Sequence, residues 1–173
     1  MVVAPTVRPF REQEWRTYRD LRLRALADSP GAYGGTLSGE ATRADAAWAD
    51  RLASGADRRW DLPLLAESVA EPVGLAWGKI DKSDPALANV YQMWIAPSHR
   101  GLGAGRLLLD AIIAWATAAN VRCVALGVTC GDSSATRLYM GAGFTPVGEP
   151  EPLRLGSNLL AQPMQMQLAS YAE

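Results

Sequence analysis

The sequence of 173 residues predicts one α/β (α+β) domain that covers residues 1–173. Two kinds of pattern lead to this fold class: apolar residues recur at helical spacing in some segments and alternate at a period of two in others. Between residues 87 and 129 a strand, a helix and a second strand follow one another, and the right-handed crossover of such a unit makes its strands parallel. The chain contains no repeat or Ser/Gly linker that would divide it. At this length roughly 70% of the unfolded surface is buried, so the core needs no disulfide or structural metal.

The first quarter of the chain predicts two helices separated by a loop. Residues 11–27 carry apolar side chains at helical spacing, with acids in the first turn where the helix dipole favours them. These apolar residues are Trp15, Tyr18, Leu21, Ala25 and Leu26. The breakers at 28–31 end the helix and begin a glycine-rich loop that runs through Gly39. Thr42 precedes Asp45 by three residues, which is the spacing of a capping box, and predicts a short helix that carries Trp48 and Leu52.

The remaining elements follow from a change of period at Pro63. The segments 63–70 and 73–80 predict a hairpin whose turn is Glu71-Pro72, with Val73, Leu75 and Trp77 on one face of the second strand. The later elements are a strand at 87–95, a helix of about 15 residues that ends at Asn120, a strand at 121–129, a helix at about 133–142, and strand-like segments at 144–149 and 164–168.

Composition excludes several classes of function. The formal net charge of −1 argues against duplex nucleic acid as a partner, because phosphate binding relies on an excess of Lys and Arg. Cys123, Cys130 and the single His99 cannot form a four-ligand zinc site, so we expect no metal. We interpret the cysteines as reduced core residues rather than as a disulfide. No leader and no run of about 18 apolar residues occurs, so we expect a cytoplasmic protein with no membrane partner; a homodimer is compatible with the sequence.

The segment 100–105 places glycines between a strand and a helix, where free backbone N–H groups and the positive end of the helix dipole meet. This arrangement predicts an anion site for a pyrophosphate, flanked by Arg100 and Arg106. A P-loop is excluded because Arg106 and Leu107 follow Gly105 where Lys and Ser or Thr are needed. A dinucleotide fingerprint is excluded because Arg106 takes the place of its third glycine. A glycine-rich turn that serves packing alone is the alternative.

Three elements in order resemble the GNAT superfamily of N-acetyltransferases. They are the strand at 93–97, the Arg-x-x-Gly-x-Gly pattern at 100–105, and the pair of segments at 135–139 and 143–144. The resemblance is strong over residues 85–150 and weaker over 7–40. It implies a mixed, mostly antiparallel sheet with helices on both faces, in which the parallel strands at 87–95 and 121–129 splay apart. Acetyl-CoA would lie in the gap between them.

The resemblance also implies which residues bind acetyl-CoA. The pyrophosphate would take the N–H groups of the glycine loop, and the pantetheine arm would pair with the strand before it, as an added strand does. The residues concerned are Met93, Trp94, Ile95, Arg100, Gly101, Leu102, Gly103, Ala104, Gly105 and Arg106. Asp132 stands where the family commonly has an Asn that bonds the pantetheine; a carboxylate cannot donate that bond, and capping of the next helix is its alternative role. The side chains of Met93 and Trp94 are equally compatible with the core.

By resemblance the protein is an acyltransferase that moves an acetyl group from acetyl-CoA directly to a primary amine. Tyr139 would stabilise the departing thiolate by a hydrogen bond; its alternative is a buried aromatic role. Asn89 and Gln92 replace the carboxylate that often serves as the family's base, and Glu40 is a substitute that the sequence does not assign. Because that carboxylate is missing, a catalytically silent module that binds CoA is the alternative function. The acceptor amine is not specified, although Tyr33, Trp48, Trp60 and Trp77 are candidates for its pocket.

Overall fold

One mixed sheet organises residues 3–131 and 133–169, which are the residues that the computed structural model describes. Its eight described strands are β1 (Thr6–Pro9), β2 (Asp61–Ser68), β3 (Glu71–Ile80), β4 (Leu87–Ile95), β5 (Cys123–Thr129), β6 (Thr145–Pro146), β7 (Glu151–Pro152) and β8 (Leu160–Gln167). The helices are α1 (Trp15–Asp28), α2 (Leu37–Ala41), α3 (Asp45–Ser54), α4 (Ala104–Ala118) and α5 (Ser134–Ala142), with 3₁₀ turns at Glu12–Glu14, Pro30–Ala32 and Pro97–His99.

The strand order is β1-β2-β3-β4-β5-β8-β6, and β7 pairs with β8. Among the described strands, β4 and β5 form the one parallel pair, and α4 provides the crossover between them. The predicted β-α-β unit and the mixed, mostly antiparallel sheet are therefore confirmed. The long connection through α4 is what a parallel pair requires, because a tight turn can join antiparallel strands only.

The two faces of the sheet are covered by different helices. On one face α4 buries an apolar stripe against β2, β3 and β4, formed by Leu108, Leu109, Ile112 and Ala116. On the other face α1 and α3 pack through Tyr18, Leu21, Trp48 and Leu52. Each fully buried Leu or Ile side chain stabilises the fold by roughly 1.5–3 kcal/mol. The two helix layers thus hold the sheet from both sides, as the sequence predicts.

The strands β4 and β5 pair over three residues and then separate. Their register runs from Leu87 opposite Cys123 to Asn89 opposite Ala125. Beyond this point β4 stays paired with β3 but contains a bulge, at which Gln92 has φ of 57°. A bulge bends its strand and increases the local twist. The result is a gap between the carboxyl ends of the two parallel strands.

The hairpin between β2 and β3 differs from the prediction. Its turn is Val69-Ala70, where both residues have positive φ, rather than Glu71-Pro72. Two residues with positive φ match the right-handed twist of the flanking strands. Val73 is an extra residue in β3, because Glu67 pairs with Pro72 and Ala66 with Gly74. This bulge turns Val73 toward the α4 face, while Leu75 and Trp77 face α1, so the prediction of one shared face is wrong for Val73.

The capping box before the second predicted helix is also wrong. The helix α3 begins at Asp45 with Ala44 as its N-cap, and no side chain in the described part of the chain caps it. Thr42 instead ends α2, and its hydroxyl donates to Gly39 O at 2.9 Å. The short helix α2 and the strands β1 and β7 are further elements that the pattern did not predict. Such short elements take their order from pairing and packing with distant residues more than from local propensity.

The close contact between β3 and β4 at Gly74 provides a test of this packing. A Cβ added to Gly74 would lie 2.6 Å from Trp94 O and 2.5 Å from Ile95 Cδ1, whereas at Gly127 of β5 the nearest atom would be 3.9 Å away. We expect Gly74→Ala to lower the free energy of unfolding by about 1–3 kcal/mol in urea titration, because overpacking strains the strand pair. Gly127→Ala is the matched control and should leave stability unchanged or slightly higher. Equal stability of the two variants would contradict the register described here.

Candidate active site

The gap between β4 and β5 opens into a cleft of about 1540 Å³. Its lining includes nearly all of the residues that the sequence analysis singled out for the site: Met93, Trp94, Ile95, Arg100, Gly101, Gly103, Ala104, Gly105, Arg106 and Tyr139. Leu102 is 39% exposed and is not part of this lining. Asp132 lies outside the described residues. Ser133 caps α5, since its hydroxyl accepts the Thr136 N–H at 3.1 Å.

The glycine loop presents backbone donors at one end of the cleft. Gly103 is the N-cap of α4 with φ of 90°, and Gly101 has φ of 76°, so both adopt the left-handed region that glycine tolerates. The first intrahelical acceptor is Gly103 O, which binds Leu107 N. The N–H groups of residues 104–106 precede this bond, and no side chain among the described residues caps them. Together with the helix dipole they form a cradle that fits a phosphate group.

Arg100 is held by partners within the protein. Its Nη2 lies 2.6 Å from Asp28 Oδ2, and its Nε donates to Ile95 O at 2.9 Å. Asp28 also accepts hydrogen bonds from Trp94 Nε1 and Ser29 Oγ. The bonds from Trp94, Ser29 and Arg100 lower the pKa of Asp28 to about 2. One ionised carboxylate therefore connects the end of α1 to β4 and to the loop before α4.

The strand β4 presents alternate peptide groups to the cleft. Ala96 N donates to Val73 O of β3, and Trp94 pairs with Leu75 in the same ladder. Because peptide groups alternate along a strand, those of Met93 and Ile95 face away from β3. The hydroxyl of Tyr33 donates to Met93 O at 2.9 Å. The carbonyl groups of Met93 and Ile95 already accept hydrogen bonds from Tyr33 and Arg100, so β4 offers its edge to an extended ligand mainly through the N–H groups of these two residues, while Trp94 belongs to the sheet.

Tyr139 is a buried residue of α5 that lines the cleft. It is 6% exposed, and its ring centroid lies 6.1 Å from that of Phe144 in an edge-on arrangement. Burial raises the pKa of Tyr139 to about 12, so its hydroxyl stays protonated at neutral pH. Within residues 3–131 and 133–169 this hydroxyl has no hydrogen-bond partner. It is therefore a donor available to a group inside the cleft.

The other end of the cleft is formed by α1 and α3. Arg22 and Arg51 line it, and both contact Glu40, which is buried. Glu40 accepts from Arg22 Nε at 3.3 Å and from Arg22 Nη2 at 3.1 Å. Because both of its oxygens are engaged with arginines, Glu40 does not fit the role of a free base. The sequence analysis missed Arg22, although its position four residues after Tyr18 places it on the apolar face of α1.

The predicted aromatic wall is present in part. Tyr33 and Trp77 line the cleft, and Trp77 Nε1 donates to Asp61 Oδ1 at 2.8 Å. Trp48 instead lies in the core, with its ring centroid 5.7 Å from that of Tyr18. Trp60 lies beside Lys82 and is not part of the lining. Large aromatic side chains occur both in the core and in the lining of a cleft, and the sequence pattern does not distinguish the two locations.

The prediction that both cysteines lie in the core is wrong. Cys130 is exposed at the end of β5, where it lines the cleft, and Cys123 is half-buried; both are free thiols. Among the described residues, no group of three or more His, Cys, Asp or Glu side chains could hold a metal ion. In the same part of the chain, no helix has the length and apolar character needed to span a membrane.

Comparison with known proteins agrees with this geometry. The model of the acetyltransferase (GNAT) family matches residues 12–144. A mycothiol acetyltransferase from Thermobispora bispora is 31% identical over 144 residues, which are 81% of this chain and 45% of that protein. The chain therefore spans about half the length of this curated relative.

Solved structures share the fold. An acetyltransferase of the GNAT family from Streptococcus pneumoniae superimposes with a TM-score of 0.80 at 19% identity, over 95% of this chain and 99% of that chain. A putative acetyltransferase from Salmonella typhimurium, solved with its cofactor acetyl-CoA, has the same TM-score and identity over 98% of this chain and 96% of that chain. The arrangement of sheet and helices is thus that of an acetyltransferase fold.

The pKa of Asp28 leads to a prediction about stability. Its folded value of about 2 lies below the ordinary value of about 3.9, so ionised Asp28 stabilises the fold above pH 4 and this contribution is lost as the pH falls toward 2. We expect Asp28→Asn to lower the melting temperature at pH 7, and the gap from wild type to shrink between pH 4 and pH 2. Asp20→Asn, on the exposed side of the same helix, is the control with the same charge change. A gap that does not depend on pH would show that the carboxylate makes no such contribution.

Proposed function

Because this chain belongs to the acetyltransferase (GNAT) family, we propose that it transfers an acetyl group from acetyl-CoA directly to a primary amine. The observation that carries this proposal is the cleft between the diverging ends of β4 and β5, which has the N-terminus of α4 at one side and the hydroxyl of Tyr139 in its lining. Such a cleft offers backbone donors to a phosphate, a strand edge to an extended arm and one hydroxyl to a reacting group.

The residues of the cleft fit acetyl-CoA. The N–H groups of the glycine loop and of the first turn of α4 would bind its pyrophosphate, with Arg106 at the rim. The peptide groups of Met93 and Ile95 would pair with the pantetheine arm as a neighbouring strand would. Arg100 acts here as a positioning residue, because its guanidinium is engaged with Asp28 and Ile95 O. When bound, acetyl-CoA supplies the acetyl group as a reactive thioester.

Tyr139 serves as a hydrogen-bond donor to the sulfur as the thiolate leaves. With its pKa raised to about 12, full proton transfer to a thiolate whose thiol has a pKa of about 8.5 would be uphill by about 5 kcal/mol. A hydrogen bond stabilises the developing charge without this cost, and a buried donor needs little reorganisation during the reaction. Burial therefore supports the donor role of Tyr139 and argues against a role as proton source.

The amine must arrive with a free lone pair, and an alkyl amine is neutral in only about one molecule in 10³ at pH 7. Asn89 and Gln92 line the cleft where the amine would enter. Their amides accept and donate hydrogen bonds but do not take a proton at neutral pH. Gln92 is itself fixed by the hydroxyl of Tyr18, which donates to its Oε1 at 2.9 Å. These side chains would therefore orient the amine rather than deprotonate it.

Two further proposals concern the extent of the domain and the cellular location of the protein. We infer that residues 1–173 act as one N-acetyltransferase domain, which is supported by the single sheet that continues from β1 to β8. We further infer a cytoplasmic location. It is supported by the two free thiols, Cys123 and Cys130, since reduced cysteines are the rule in that compartment.

Two substitutions at Gly103 test the cofactor site. Asp and Asn have the same shape, and both tolerate a positive φ better than other side chains, so the pair differs mainly in charge. We expect Gly103→Asp to weaken acetyl-CoA binding in calorimetry by about 10- to 100-fold relative to Gly103→Asn, which matches the value of one charge-assisted hydrogen bond. Equal affinity of the two folded variants would place the pyrophosphate elsewhere.

Turnover tests the activity and the role of Tyr139. Thiol release from acetyl-CoA over a panel of amines should identify at least one acceptor for the wild-type protein. With that acceptor, Tyr139→Phe should lower kcat by about 10- to 100-fold and leave the affinity for acetyl-CoA unchanged, because one donor is lost and almost no volume. Tyr91→Phe removes a half-exposed hydroxyl of the same lining and is the control. A protein that binds acetyl-CoA but acetylates no amine would instead be a silent CoA-binding module.

A further inference from the structure

Arg22 has an unpartnered buried nitrogen at the end of the cleft that α1 and α3 form, which is called the acceptor end from here on. The residue is 4% exposed, and two of its nitrogens, Nε and Nη2, face Glu40. Its third nitrogen, Nη1, is buried without a hydrogen-bond partner in residues 3–131 and 133–169. A buried donor left without an acceptor is costly, and more so when it carries charge. Since Arg22 lines the cleft, Nη1 is suited to an acceptor atom that a ligand brings.

The charges around Arg22 leave an excess of one positive charge. Arg51 Nη1 lies 3.5 Å from Glu40 Oε2, so Glu40 is shared by two arginines that both line the cleft. The lining also contains Asp61 and Lys79, which are opposite each other in the register of β2 and β3 and carry opposite charges. The acceptor end therefore complements a group with a single negative charge.

Aromatic side chains and the loop that contains Gly35 hold this cluster in place. The Cζ atom of Arg22 lies 4.7 Å from the ring centroid of Tyr33, and that of Arg51 lies 5.4 Å from the Trp48 ring. Guanidinium groups stack favourably on such rings. A Cβ on Gly35 would lie 2.5 Å from Glu40 Oε1 and 3.3 Å from Arg22 Nη2, so the backbone of the loop closes over the ion pair. The arginines are thus preorganised rather than mobile.

From these contacts we propose that Arg22 Nη1, together with Arg51, binds a carboxylate of the acceptor, so that the substrate is an amine that also carries a carboxylate group. Tyr33 connects this subsite to the acetyl donor, because its ring packs on Arg22 while its hydroxyl donates to Met93 O of β4. A substrate held by its carboxylate at Arg22 would therefore extend its amine toward the strand edge. This inference rests on the proposed function and narrows its acceptor class.

The test compares amines that differ only in the carboxylate. Unbranched ω-amino acids of increasing length and their primary amides form pairs in which the amine is chemically alike once several methylenes separate the two groups. For the best chain length we expect the acid to exceed its amide in kcat/KM by about 10- to 100-fold, the value of one charge-assisted hydrogen bond. Acids that are no better than their amides at every accepted length overturn the proposal.

Single substitutions test whether Arg22 and Arg51 cause the preference for the acid over its amide. Arg22→Gln should bring the ratio of acid to amide close to one, and Arg51→Gln should reduce it. Arg16→Gln removes an exposed arginine of the same helix and should keep the wild-type ratio. Circular dichroism and acetyl-CoA binding report whether each variant is folded. If Arg22→Gln does not fold, Arg51→Gln provides the test. The Arg51 side chain is 28% exposed, so its substitution should disturb the fold less. An unchanged ratio in the folded variants refutes the subsite.

A binding experiment separates failure of this inference from failure of the proposed function. Propionate and propionamide serve as probes for the acetyl-CoA complex at matched ionic strength. Propionate should raise the melting temperature of the wild-type protein more than propionamide does, and this difference should vanish in Arg22→Gln. Equal shifts with the two probes overturn the carboxylate subsite even if amines are acetylated. Absence of turnover with every amine, together with a specific effect of propionate, overturns the transferase proposal alone.

Discussion

The separation of β4 from β5 is the constraint on which the site depends. The two strands pair for three residues, and the bulge at Gln92 then turns β4 away while β3 continues to hold it. Any closed ladder would use the peptide groups of Met93 and Ile95 within the sheet. Because these groups point away from β3, their N–H groups form the strand edge of the cleft, and the same divergence brings the start of α4 beside the open end. Bulges near active sites commonly re-aim a strand in this way.

The helix α1 links the two ends of this cleft. Asp28 at its C-terminal end binds Arg100 and Trp94 and so holds the glycine loop, while Arg22 forms the charged acceptor end. These two residues are six positions apart, which corresponds to about 9 Å along a helix axis. A displacement of α1 would therefore move both subsites together. The rigidity of this helix, buried through Tyr18 and Leu21, is what keeps the donor and acceptor ends in register.

The sequence predicts best those elements whose pattern is local and repeated. The amphipathic helices α1 and α4, the strand pair around α4 and the glycine loop lie close to where the period and the breakers place them. The predictions are wrong where a contact between residues distant in sequence determines the local structure. Val73 changes face because of a bulge in its pairing with β2. Thr42 is not an N-cap, because it lies at the C-terminal end of α2, the helix that Thr36 begins. Neither pairing nor packing is visible in a window of neighbouring residues.

Arg22 shows why the end of the cleft formed by α1 and α3 cannot be predicted from the hydropathy pattern. A helical pattern sorts residues by hydropathy, so an arginine is assigned to solvent even where its position, four residues after Tyr18, lies on the apolar face. Burying this charge is costly, and an ion pair with Glu40 only partly offsets the desolvation. Hydrophobic residues of similar volume would serve stability at least as well there. A buried arginine that retains an unused donor beside a cleft is therefore better explained by what it binds than by what it stabilises.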